Sequence, residues 1–134
     1  MTDYLDLRLD GQEINAISSL GLAHIGDCVY ELMVRSYLVC HGKVTSAGLH
    51  RETVKRVSAP AQARAIKRVM DMLSEDELAV YKRGRNARVH SVPKNAAVGE
   101  YHAATGLEAL FGWLYLRGEH ARLGELFAVM TEED

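Results

Sequence analysis

Apolar residues recur along the chain at steps of three and four, with no sustained alternation of period two, which predicts helices almost throughout and an all-α fold. The first periodic run, from about Ile14 to Val39, carries Ile17, Leu20, Ile25, Val29, Leu32, Met33 and Leu38 in a stripe broad enough for a central helix. His41, Gly42 and Lys43 break the pattern, and Thr45 or Ser46 can cap a second helix reaching about Val57. Ser58-Ala59-Pro60 reads as a further start, because a first turn tolerates proline, and the helix it opens is predicted over Ala61 to Leu73. Ser74 and Glu77 have the spacing of a capping box, heading a fourth helix with Leu78, Val80 and Tyr81. A loop is expected from Val89 to Ala97. A helix from Tyr101 to Leu116 should then turn Leu107, Leu110, Phe111, Leu114 and Tyr115 inward and end at Gly118. The last, His120 to about Met130, buries Leu123, Leu126, Phe127 and Val129, for a bundle of about six to seven helices.

Composition narrows this little. With 134 residues, 48% hydrophobic and 25% charged, and no repeat or linker, the expectation is one globular domain over residues 1–134. No run of eighteen apolar residues occurs and the N-terminus is acidic rather than basic, so a soluble, unexported, cytoplasmic protein is expected. Cys28 and Cys40, in apolar surroundings, are expected to be small buried thiols rather than a disulfide or zinc site. The distribution of charge says more than its net value of -2. Between Lys43 and Lys94 stand twelve Lys and Arg against five acids, whereas the rest of the chain has four against thirteen. A basic middle between acidic ends suits a polyanionic partner, or else a set of solvated helix faces.

Three constellations can carry chemistry. Asp27 is an acid among Ile25, Cys28 and Val29, a costly placement unless it is paired or bound to a metal. His24 and Glu31 share its helix face; Glu31 also stands four before Arg35, as a surface ion pair would, and His24 reads equally as a satisfied structural histidine. Glu108 is the lone acid of a nearly all-apolar helix, and two such acids on two helices are more economical if they share a cation. Gly26, Gly106 and Gly112 would let those helices approach closely. The third constellation is Lys82, Arg83, Arg85, Asn86, Arg88, His90, Ser91, Lys94 and Asn95, groups suited to phosphate and sugar oxygens. A flexible charged loop is the plainer account. Without stacking aromatics the segment suits a duplex backbone better than single strands.

The string Leu22-Ala23-His24-Ile25-Gly26-Asp27-Cys28-Val29-Tyr30-Glu31-Leu32 resembles the signature of the ribonuclease III catalytic-domain family. Tyr81 to Ala87, Pro93-Lys94-Asn95-Ala96 and Ala104 to Leu116 are similar to its Mini-ribonuclease III branch, a bacterial branch without a double-stranded-RNA-binding domain. The resemblance implies a ribonuclease III-like helical bundle that takes up all 134 residues and acts as a homodimer, each subunit cutting one strand of double-stranded RNA. It matches Asp27 and Glu108 to the family's catalytic and metal-binding acids, with Mg2+ as cofactor and 5'-phosphate and 3'-hydroxyl products. It further implies trimming of a precursor 23S ribosomal RNA stem, assisted by a large-subunit ribosomal protein. The pattern is thinned here: Leu20, Ala23 and Thr105 stand where classical members carry further acids.

Magnesium commonly takes only one or two protein carboxylates, so Asp27 and Glu108 suffice chemically, with His24 or Glu31 as outer partners. Lys82, Arg83, Arg85, Asn86, Arg88, His90, Lys94 and Asn95 would then bind RNA phosphates. Two other classes remain: a non-catalytic double-stranded-RNA-binding helper with a degenerate site, and a helical protein-interaction module.

Overall fold

A computed structural model describes residues 1–42, 45–87 and 97–131, and among these it is helical without strands. The elements are α1 (Gly11–Asn15), α2 (Ser19–His41), α3 (Ser46–Val57), α4 (Ala59–Val69) with a 3-10 turn Met70–Met72, α5 (Glu75–Arg85), α6 (Val98–Leu116) and α7 (His120–Met130). The all-α expectation holds.

Local chemistry sets the boundaries. Ser18, Thr45, Ser58 and Ser74 each cap a helix with the side-chain oxygen accepting from the backbone N–H three residues on. Ser58 ends α3 and begins α4, so Pro60 falls inside the first turn, where no N–H is missed. The predicted first helix is divided: Asp10 and Glu13 form their own capping box around the short α1, and the Ser18 cap restarts the chain as α2. α6 starts at Val98, three residues before the periodicity suggested.

α6 is the axis of the fold, with α2, α4, α5 and α7 packed around it. Leu107, Ala109, Leu110, Phe111 and Leu114 are all fully buried, as expected of a helix apolar on every side. α2 packs mainly on α6 and buries Leu22, Ala23, Gly26, Val29, Tyr30, Val34 and Leu38. Tyr30 meets Phe111 edge to face at 5.3 Å and Phe127 at 6.0 Å, carrying the core across to α7. Burial pushes the Tyr30 hydroxyl up to about 12.

Two groups predicted from α2 as inward-facing lie outside this stripe. Leu20 and Leu32 are 42% and 59% exposed, and both cysteines are free and exposed rather than buried. The buried stripe of α2 is narrower than its apolar periodicity predicts, because α6 covers only one side of the helix. At the far end of the bundle Glu77 is buried and accepts from Arg122 Nε and Nη2, both at 2.8 Å, while closing the α5 capping box through Ser74 N. The Arg122 guanidinium holds the Glu77 carboxyl below the usual carboxylate range, and its bond to the Met72 carbonyl ties α7 to the 3-10 turn.

The α2–α6 crossing has no room for a side chain. A Cβ on Gly26 would stand 1.6 Å from the Glu108 carbonyl oxygen, and one on Gly112 would stand 2.0 Å from that of Leu22. Gly112→Ala should therefore cost at least about 3 kcal/mol, because backbone must move. Gly124→Ala in α7, with nothing within 4 Å, should instead stabilise by about 0.5–1 kcal/mol. Urea denaturation of both variants checks the pair; equal effects would contradict the crossing.

Candidate active site

Where α2 and α6 meet at Gly26 and Gly112, the residues next to those glycines bring the two predicted acids together. Asp27 follows Gly26 on the exposed edge of α2, and Glu108 is half-buried on α6 one turn before Gly112. Their side chains are within hydrogen-bond reach. Burial, and then the charge of Asp27, push the Glu108 carboxyl up to about 7, against an opposing hydrogen bond from Gln62. Two acids held together with one of them out of water is a costly arrangement for the bare protein. A divalent cation between them removes the repulsion and restores ligands to the buried oxygen, so the donor set fits a hard, oxygen-seeking ion.

Gln62, which the sequence reading missed, joins the pair from α4. Its Nε2 donates to Glu108 Oε2 at 3.2 Å and to the Val57 carbonyl at 2.9 Å, and the side chain is buried. The available signal was its register: Gln62 stands in line with Ile66 and Val69, a polar residue at a core position.

The other candidates divide. Glu31 pairs with Arg35 at 2.7 Å, as its spacing suggested. His24 is exposed, without a hydrogen-bond partner among the described residues, so it is not a satisfied core histidine. His24, Asp27, Cys28, Glu31 and Leu32 share a shallow groove of about 620 Å³ along α2. Thr105, at the place of an expected further acid, is buried and donates to the Tyr101 carbonyl within its own helix. Among the described residues no third His, Cys, Asp or Glu joins Asp27 and Glu108 in a metal-holding group.

Of the predicted phosphate binders, Lys82, Arg83, Arg85 and Asn86 form the last turn and cap of α5. Lys82, Arg83 and Asn86 are exposed, and Arg85 lies over the Tyr81 ring at 5.6 Å. Gly84, in their midst, abuts Thr105, Gly106 and Ala109, which puts this basic end against the turn of α6 that carries Glu108. Arg88, His90, Lys94 and Asn95 lie outside the described residues. More of the basic middle, Lys55, Arg56, Arg64 and Arg68, lines a cleft of about 330 Å³ between α2, α3, α4 and the end of α7.

A helical bundle built on one apolar axis, with an acid pair at its closest crossing, is the architecture of a ribonuclease III domain, and residues 20–119 match the model of that family, the Ribonuclease III domain. The chain belongs to the ribonuclease III family, in its Mini-ribonuclease 3 group. It is 43% identical over 124 residues to the Mini-ribonuclease 3 of Thermoanaerobacter sp. (strain X514), covering 92% of this chain and 87% of that one. Identity to the Mini-ribonuclease 3 of Symbiobacterium thermophilum is 47% over 113 residues, 84% and 87% of the two chains. The crystal structure of protein FN1578 from Fusobacterium nucleatum superimposes with a TM-score of 0.80 at 28% identity, over 87% of this chain and 94% of that one. Membership makes the chain an endoribonuclease.

Glu108 also gives the site a pH signature in the metal-free protein. With its folded value raised to about 7, ionisation opposes folding: the carboxyl costs nothing where it is protonated in both states, below about pH 4, and the cost grows as pH rises towards 7 and then levels off. In chelator, Glu108→Gln should raise Tm by about 5 °C at pH 8 and by much less at pH 4.5. Thermal scans at the two pH values check this; a gain independent of pH would contradict it.

Proposed function

We propose that this endoribonuclease cleaves double-stranded RNA with Mg2+ held by Asp27 and Glu108, and that the contact of those two acids across the α2–α6 crossing is the observation that carries the reading. The bound ion would supply Lewis-acid stabilisation of charge on the scissile phosphate and an acidified water, leaving 5'-phosphate and 3'-hydroxyl ends. Asp27, at the exposed edge, faces incoming RNA, while Glu108 is held from behind by the core. Lys82, Arg83, Arg85 and Asn86, continued in sequence by Arg88, His90, Lys94 and Asn95, contact phosphate and sugar oxygens and read duplex shape rather than base sequence.

Residues 1–134 act in this reading as one catalytic unit, two copies forming a twofold dimer that offers one acid pair to each antiparallel strand. The exposed Leu20 and Leu32 of α2, beside the acid, support a surface covered by the second copy. The resemblance to Mini-ribonuclease III supports a precursor 23S ribosomal RNA stem as the cytoplasmic substrate, with a large-subunit ribosomal protein assisting. Consistent with that setting, no helix among the described residues is long and apolar enough to cross a membrane. A non-catalytic RNA-binding helper is favoured only by the thin acid set, with Leu20, Ala23 and Thr105 in place of carboxylates.

With an end-labelled RNA duplex, Mg2+-dependent cutting by the wild type should fall at least about a hundredfold in Asp27→Asn or Glu108→Gln while binding persists. Binding without cutting by the wild type, on several duplexes with Mg2+, would establish the helper instead. Arg83→Glu with Arg85→Glu should weaken duplex binding and lower the slope of log K against log salt by about 2, read by filter binding across a salt series. An unchanged slope would remove the end of α5 from the interface.

A further inference from the structure

Gln62 is 3% exposed, and an amide so placed costs about 1–3 kcal/mol for each hydrogen bond it fails to make. Its nitrogen is fully used: the two hydrogens of Nε2 serve the Val57 carbonyl and Glu108 Oε2. These acceptors also settle which end of the amide is nitrogen. A flipped side chain would set Oε1 against the Val57 carbonyl oxygen and the carboxylate, replacing two bonds with two repulsions. The oxygen is thereby left over, and Gln62 Oε1 is buried without a hydrogen-bond partner among the described residues. Folded proteins leave few such atoms. Amide geometry keeps Oε1 about 2.3 Å from Nε2, hence no more than about 5.5 Å from the Glu108 oxygen, a span that one water can bridge. A role confined to joining the end of α3 to α4 would account for the bond to Val57, but not for the bond to Glu108 or for the spare acceptor.

We propose that Gln62 is the positioning residue of the acid pair. Its Nε2 fixes one oxygen of Glu108, leaving the other to Asp27 and the cation, and its Oε1 accepts a hydrogen bond from the hydration shell of that cation. This rests on the reading of Asp27 and Glu108 as the Mg2+ site. Partners of this kind orient a ligand, and losing one typically weakens metal binding by a factor of ten or more.

The test is a Mg2+ titration of Tm for wild type, Asp27→Asn and Gln62→Met, the last keeping length and bulk without either polar atom. The Mg2+ concentration above which Tm climbs, which is set by the Kd, should be about tenfold higher for Gln62→Met than for the wild type, with Asp27→Asn showing no response, and on duplex RNA kcat should fall with KM unchanged. An onset of the Tm rise for Gln62→Met at the same Mg2+ concentration as for the wild type, while Asp27→Asn is silent, overturns the role of Gln62 and leaves the metal site standing. No response in the wild type itself overturns the metal site and this inference with it. Should Gln62→Met fail to fold, the wild type decides. Gln12 and Gln62 are the two glutamines of the chain, and Gln12 is exposed, so selective 15N labelling of glutamine side chains gives a reporter and an internal reference. The Gln62 amide pair should move with Mg2+ over the concentrations where Tm begins to climb while Gln12 stays; a Gln62 pair unmoved at Mg2+ far above that range overturns the proposal.

Discussion

The closeness of α2 to α6 is the constraint on which the rest depends. Both helices give up a Cβ at the crossing, at Gly26 and Gly112, and each backbone then occupies the space a side chain of the other would fill. That approach packs Val29 and Tyr30 against the α6 axis and lets a carboxylate from each helix share one place. Moving the helices apart by the width of a methyl group would loosen the core and separate the acids together. Stability and site geometry thus have a single structural cause.

Two carboxylates withdrawn from water show how differently one chain treats the same group. Glu77 is met by both faces of the Arg122 guanidinium fork and by the Ser74 backbone, and its proton is held less tightly than usual. Among the described residues Glu108 accepts from the shared amide of Gln62 alone, with another acid beside it, and its proton is held more tightly. The first arrangement is complete as it stands and joins α5 to α7. The second is left electrostatically short of a positive charge, as a site that binds a cation requires.

Much of the bundle is legible in the sequence. Capping serines at 58 and 74, the proline after the first, and the apolar run from Leu107 to Leu116 report local preferences that tertiary packing has no reason to overrule. The errors fell on α2, where Leu20, Leu32 and Cys28 have the hydrophobic character of core residues but stand outside the arc that α6 covers. Periodicity shows which residues share a face of a helix, and it is silent on how wide a sector the neighbouring helix closes. Gln62 is a related case: its register with Ile66 and Val69 marks a polar residue at a core position, but its acidic partner Glu108 lies 46 positions away in the chain and is brought beside it only by α6.

The helices, their caps, the two lone acids and the small residues near them follow from the sequence alone, because each depends on residue types and contacts within a few positions of the chain. That Asp27 and Glu108 meet, and that Gln62 holds one of the acids from behind, is settled only by the packing of α2, α4 and α6. Those outcomes depend on the rotation and separation of whole helices, quantities summed over the entire core and encoded in no local stretch of residues.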